Sequence, residues 1–221
     1  MKITRYVHAT VSIETKKNKI LIDPGKYAFD GGRFNVGKLK PEYFNDIDIL
    51  VLTHTHADHY DPEVVSVINQ KSNPKIISNF EVGEDLTKRG IDHIVMKEGD
   101  KKIINNIEFT AYLCDHIIPS IGLTIDDGKN KAYYVSDSIY KEPDTNADIL
   151  LVPIGNRGLV MSPKEAALFT QKMKPKIVIP IHYESPKDNT TPEDFIREMK
   201  TIQSDVIIKI MNYKESINYN T

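Results

Sequence analysis

The run Ile49-Leu50-Val51-Leu52-Thr53-His54-Thr55-His56-Ala57-Asp58-His59-Tyr60-Asp61-Pro62-Glu63 decides how the rest of the chain is read. Its first four residues are apolar and partly β-branched, the pattern of a short strand buried on both faces. The strand empties into three histidines and an aspartate within six positions. His54 and His56 are two apart, so an extended backbone turns their imidazoles to the same side, while Asp58 and His59 fall where the chain is already turning. Asp61 is a good N-cap and Pro62 suits a first helical turn, so a helix is expected just beyond, its N-terminal dipole near the histidines. Imidazole nitrogen and carboxylate oxygen suit zinc, manganese or iron, and four such groups crowded together are economically explained by a metal. The bland alternative is a solvated polar loop. Three of the chain's seven histidines in six residues weigh against it.

Thr53-His54-Thr55-His56-Ala57-Asp58-His59 resembles the His-x-His-x-Asp-His pattern of the metallo-β-lactamase superfamily. That family supplies a later histidine, then an aspartate after a strand, then a last histidine near another strand end. The matching positions are His116 in Cys114-Asp115-His116, Asp137 in Val135-Ser136-Asp137, and His182 in Ile179-Pro180-Ile181-His182. The likeness runs from His8-Ala9-Thr10 and Leu21-Ile22-Asp23-Pro24 to His182. Within the superfamily it looks most like the compact hydrolases related to ascorbate-6-phosphate lactonase and N-acylphosphatidylethanolamine phospholipase D. The resemblance implies an α/β fold, an αββα sandwich of two facing mixed sheets with helices on the outer faces, and a single domain over residues 1–221.

With 221 residues the chain has enough core to stand without staples. One cysteine excludes an internal disulfide framework, and the residues from Met1 to Tyr6 lack the apolar run of a signal peptide, so a cytoplasmic setting is expected. No apolar stretch approaches the roughly 18 residues of a membrane span, and a formal charge of -2 gives no global attraction to nucleic acid.

In chain order, Val11 to Thr15 and Lys19 to Asp23 read as a hairpin ended by Pro24-Gly25. His8 precedes it, and a histidine there lies beside the active site in the lactonase-like subgroup; a surface histidine is the equal alternative. Asp23 takes the family's place for an aspartate that holds metal-binding histidines through hydrogen bonds. Residues 25–40, with Tyr27, Phe29, Gly31, Gly32, Arg33, Phe34 and Lys38, show no periodicity and serve equally as a substrate lid, an ordered surface loop or an oligomer contact. Then come a strand at 47–53, a helix over 62–70, a strand at 75–78, a helix over 81–89 ended by Gly90, and a strand at 91–96 on which His93 is read as structural. Between 101 and 138 the pattern changes to short strands at 102–104, 107–113, 121–125 and 131–135. Cys114 is read as a buried thiol rather than a ligand. A buried strand at 148–154, a helix capped by Ser162 with Pro163 and Glu165, a strand at 177–181 and a helix starting at Thr191-Pro192 complete the order. Arg157, on the loop 155–161, either binds an anionic substrate or pairs on the surface.

By its match to the family, the resemblance implies that His54, His56 and His116 hold one divalent ion, Asp58, His59 and His182 a second, and that Asp137 bridges them. Zinc and manganese both suit that set. The implied reaction is hydrolysis of a phosphodiester, lactone or thioester of a small molecule by a metal-bridging hydroxide, with Asp58, Asp137 and His182 at the reacting centre. His8 and Tyr183 are the side-chain candidates for protonating the leaving oxygen. Two rivals stand beside this: a nuclease acting on RNA or DNA, disfavoured by charge, and a non-catalytic member that binds metal or a partner. Homo-oligomerisation is left open.

Overall fold

The computed structural model describes residues 1–30, 39–142 and 145–220. Among these residues the strands form two mixed sheets of seven, in two compact units: Met1–Lys97 with Asn212–Thr221, and Glu98–Met211. This is the α/β class of the expectation, with the sheet composition and helices of the metallo-β-lactamase sandwich.

The first unit contains β1 (Lys2–Arg5), β2 (Val11–Glu14), β3 (Lys19–Ile22), β4 (Ile49–Leu52), β5 (Lys75–Ser78), β6 (Ile94–Val95) and β14 (Ser216–Asn218). Their order is β14-β1-β2-β3-β4-β5-β6, antiparallel as far as β3 and parallel from β3 onward. Helices α1 (Lys26–Asp30), α2 (Pro62–Ser72) and α3 (Phe80–Lys88) accompany this sheet. Leu21, Leu50, Leu52 and Ile76 meet Val65, Ile68, Val82 and Leu86 in one apolar cluster, so the helices cover one sheet face. Ile49 and Val51, on the opposite face of β4, are equally buried, which is why that strand carries no polar residue at all.

The second unit mirrors that plan. Strands β7 (Lys101–Ile104), β8 (Ile107–Leu113), β9 (Ile121–Asp126), β10 (Lys131–Tyr134), β11 (Ile149–Pro153), β12 (Ile177–Ile181) and β13 (Ile207–Ile208) lie in the order β13-β12-β11-β10-β9-β8-β7. The chain is antiparallel from β7 to β10 and parallel from β10 to β13. Helices α4 (Pro163–Met173) and α5 (Pro192–Thr201) pack Phe169, Met173, Phe195 and Met199 with Leu150, Val152 and Val178. Both helices start at the residues expected of them. Ser162 and Thr191 each accept from the backbone of the third helical residue, and Glu165 and Asp194 reach back in full capping boxes.

Three expectations change. The strand at 91–96 shrinks to Ile94–Val95, because Gly90 takes φ 68° and the His93 ring bonds the Ile91 carbonyl, which bends the chain before pairing begins. Residues 26–30, expected to lack periodicity, form a short helix whose Ala28 is buried; the part of the 25–40 stretch from 31 to 38 lies outside the described residues. Strands β1, β13 and β14 were not foreseen. They are short, β1 and β14 are partly polar, and β14 is defined by pairing with a distant segment, Asn218 opposite Lys2. Among the described residues no helix is long and apolar enough to cross a membrane.

Candidate metal centre

In the first unit the donors gather at the ends of β3 and β4. The chain after β4 turns through His56–Tyr60, with the amides of His59 and Tyr60 on the His56 carbonyl at 2.9 and 2.8 Å, and Asp61 then caps α2. Gly25 fits beneath that turn. A Cβ there would stand 2.0 Å from the Asp58 carbonyl carbon and oxygen, and the neighbouring Lys26 amide donates to the Ala57 carbonyl at 2.7 Å. Only glycine lets the two backbones approach so closely.

Asp23 organises two of the histidines. Its carboxylate accepts the Thr53 amide at 2.8 Å, the Thr53 hydroxyl at 2.6 Å and His59 Nδ1 at 2.8 Å. Because the Thr53 proton is given to Asp23, Thr53 Oγ1 accepts from His54 Nδ1 at 3.0 Å. One carboxylate thus fixes the tautomer of His59 directly and of His54 through a hydroxyl, leaving both Nε2 lone pairs as the ligand ends. Both rings and Asp23 are fully buried. His54 lies 4.1 Å from His59 and 4.9 Å from His56 between ring centroids.

His8 is buried in the turn between β1 and β2, so the surface alternative for it is wrong. Its Nε2 stands 3.1 Å from Asp58 Oδ2, and its ring meets Tyr27 edge-on at 4.9 Å. Donor atoms of His8, Asp58 and His59 lie within 4.8 Å of one another, and so do those of His54 and His56.

In the second unit the strand ends again supply the groups. Asp137 Oδ2 lies 3.2 Å from His182 Nε2 and 3.9 Å from His116 Nε2. His116 Nδ1 donates to the Leu159 carbonyl at 2.9 Å, and since a carbonyl only accepts, Nε2 is again the bare nitrogen. His8, Asp23, Ser136 and His182 all have positive φ, between 46° and 71°, a costly conformation for residues with a Cβ that here re-aims the chain beside the donors. Cys114 is buried with its thiol on the Val135 carbonyl at 3.2 Å, and burial pushes its pKa up to about 12, so it stays a thiol.

The remaining sequence candidates are placed differently. Tyr183 is buried in the apolar cluster with Val152, Phe169 and Phe195. Arg157 is exposed, with Nη1 on the Lys187 carbonyl at 2.9 Å. Sequence reasoning missed Thr53, the Leu159 carbonyl and Asp188, whose carboxylate accepts from the Asn156 amide at 2.8 Å and the Thr190 hydroxyl at 2.6 Å. Thr53 was findable beside the histidines; a backbone carbonyl and a carboxylate 72 positions from His116 leave no local trace.

The chain is similar to known proteins over most of its length. A family model described as a beta-lactamase superfamily domain matches residues 2–182. A UPF0173 metal-dependent hydrolase of Pyrococcus furiosus is 28% identical, with 95% of this chain and 96% of the relative covered. Among solved structures, the metallo hydrolase Igni18 of Ignicoccus hospitalis superposes with a TM-score of 0.85 at 22% identity, covering 100% of this chain and 98% of that one. An isothiocyanate hydrolase from Delia radicum gut bacteria does so with 0.81 at 18%, covering 100% and 99%. These comparisons reach the superfamily, not the narrower likeness to the lactonase or the phospholipase. The chain therefore belongs to the metallo-β-lactamase superfamily, among its metal-dependent hydrolases.

Proposed function

We propose that this protein is a dinuclear hydrolase of a small-molecule ester-type bond, a phosphodiester, lactone or thioester. The observation that carries the reading is the shared engagement of three imidazoles: His54, His59 and His116 each have Nδ1 held by a built acceptor, which presents Nε2 as a ligand. Carboxylates Asp58 and Asp137 supply hard oxygen donors beside them. This donor set fits zinc or manganese. By the match to the family, His54, His56 and His116 would hold one ion and Asp58, His59 and His182 the other, with Asp137 available to both.

Bound there, divalent ions supply Lewis acidity, lowering the pKa of water and polarising a carbonyl or phosphoryl oxygen. The chain's own residues do the rest. Asp23 and Thr53 hold His54 and His59 in one tautomer. His8 orients Asp58 through the 3.1 Å contact and is better placed than the core-packed Tyr183 to deliver a proton to the leaving oxygen. The exposed side chains near His116 and Asp137 include Leu113, Ile117, Ile139 and Leu159, an aliphatic setting that favours a small organic substrate over a polyphosphate strand.

Metal analysis after reloading with zinc or manganese should approach two ions per chain, and a ceiling of one at saturation overturns the dinuclear reading. Turnover should then be sought across phosphodiesters, lactones, thioesters and the isothiocyanates named for the gut-bacterial hydrolase. Asp137→Ala should abolish more activity than His182→Ala, because it removes an anion shared by two cations. An equal or milder loss with metal content intact contradicts that placement.

A further inference from the structure

Asp188 is a buried carboxylate in the second unit that is not in the donor set, and three of its contacts tie down a loop. Oδ2 accepts from the Asn156 amide at 2.8 Å, and Oδ1 accepts from the Thr190 amide at 2.8 Å and the Thr190 hydroxyl at 2.6 Å. It therefore ties the start of the 155–161 loop to the segment that begins at His182. The loop is closed on itself by the Gly155 amide on the Met161 carbonyl at 2.9 Å and attached beside Asp137 by the Met161 amide on the Ser138 carbonyl at 2.9 Å. Its most consequential group is the Leu159 carbonyl, which receives His116 Nδ1 at 2.9 Å. A Cβ on Gly155 would come within 3.1 Å of Asp188 Oδ2, so the backbone is fitted closely to the carboxylate.

We propose that Asp188 is a positioning residue for His116: by clamping the 155–161 loop it fixes the Leu159 carbonyl, and through it the tautomer and direction of the imidazole. The second unit then has the counterpart of what Asp23 does in the first, a carboxylate outside the donor set that governs histidines at one remove. The charge is well supported. Burial opposes ionisation, but the Thr190 hydroxyl and amide, the Asn156 amide and nearby His182 together outweigh it and hold the carboxyl below the usual range. The proposal rests on the reading of His116 as a metal ligand, and metal affinity is the property expected to respond, since removing groups that support a ligand typically weakens binding by about 10–100-fold.

The experiment is two-dimensional NMR of the histidine ring nitrogens in metal-free protein, paired with titration of zinc followed by calorimetry. In the wild type His116 should carry its proton on Nδ1, and an Nε2–H form overturns the proposal without any variant. In Asp188→Asn the His116 signals should move toward a tautomer mixture, with zinc binding weaker by about tenfold or more. Lys164→Ala, exposed on α4 away from the clamp, should leave both unchanged. An Asp188→Asn protein that melts earlier yet keeps the wild-type tautomer and affinity shows a merely structural role and overturns the inference. If zinc leaves the His116 resonances unmoved in the wild type, the ligand reading fails instead, and the tautomer shift in the variant still reports on the clamp. Asp188→Ala, which removes all three accepted bonds, should show the larger shift in both readouts.

Discussion

Thr53 illustrates how a residue between two better-known ones sets chemistry. Its hydroxyl can donate one proton only, and the fully buried Asp23 takes it at 2.6 Å, so the oxygen must accept from His54. Thr53→Val keeps the shape and deletes that link; it should weaken zinc binding about 10–100-fold, while Thr53→Ser should stay close to wild type. Calorimetric titration of the three proteins checks this, and equal affinities would remove Thr53 from the relay. Gly25 is the steric counterpart. Gly25→Ala would drive a methyl group into the Asp58–His59 peptide at 2.0 Å and should cost about 1–3 kcal/mol or more in urea unfolding, with lower metal affinity. Unchanged stability and affinity would mean that the turn yields without consequence. Arg157→Ala should raise KM for an anionic substrate and spare a neutral lactone, because a guanidinium offers paired charge-assisted bonds to an anion; equal effects on both take Arg157 out of the pocket.

At the scale of elements, strands that end in donors are followed by capped helices or sharp backbone turns. Helix α2 starts with Asp61 accepting from the Glu63 and Val64 amides at 3.0 and 3.2 Å, immediately after the metal loop. Helix α4 starts with the Ser162 box, immediately after the loop that carries Leu159. Capping is a matter of folding energy, not of ligand geometry, and the two effects separate by variant. Ser162→Ala should lower stability by about 1 kcal/mol, roughly 2–4 °C in melting temperature, and leave zinc affinity unchanged. Thermal melts beside a zinc titration read both, and a large affinity loss would show that the α4 start positions the site as well. The buried β4 and β11 were legible for the same reason that the caps were: apolar runs and Ser-Pro-x-Glu are local patterns with local causes.

For the whole molecule, metal and pH act on stability by linkage. Ions bound only by the folded chain add about 2.7 kcal/mol at a concentration one hundred times Kd, so chelation should lower the melting temperature and Asp137→Ala should shrink that difference. A wild-type melt indifferent to chelator would contradict resident metal. Asp188 and Asp194 have folded pKa values below their ordinary carboxylate values. For a depressed carboxylate, stability is present above the unfolded pKa and is lost as pH falls through the folded one. Metal-free protein should therefore weaken from about pH 4 downward, and Asp188→Asn should flatten that acid limb in urea unfolding measured across pH. An unaltered limb would place the acid sensitivity elsewhere.

The sequence by itself determined the elements that arise from neighbours: the apolar core strands, the hairpin of β2 and β3, the Asp61, Ser162 and Thr191 helix starts, and the crowding of His54, His56, Asp58 and His59. It also determined the superfamily, because that crowding is a pattern of fixed spacing. The tertiary structure decided what depends on contact between distant positions. Strand β14 exists only because residues 216–218 pair with 2–4 of β1. His8 reads as ordinary until burial sets its Nε2 against Asp58. The imidazole of His116 is governed by a carbonyl 43 residues away and, through Asp188, by a carboxylate still further along the chain. A hydrogen bond has no sequence period, and a backbone acceptor has no residue type, so a ligand's supporting contacts become visible only when the chain has folded around it.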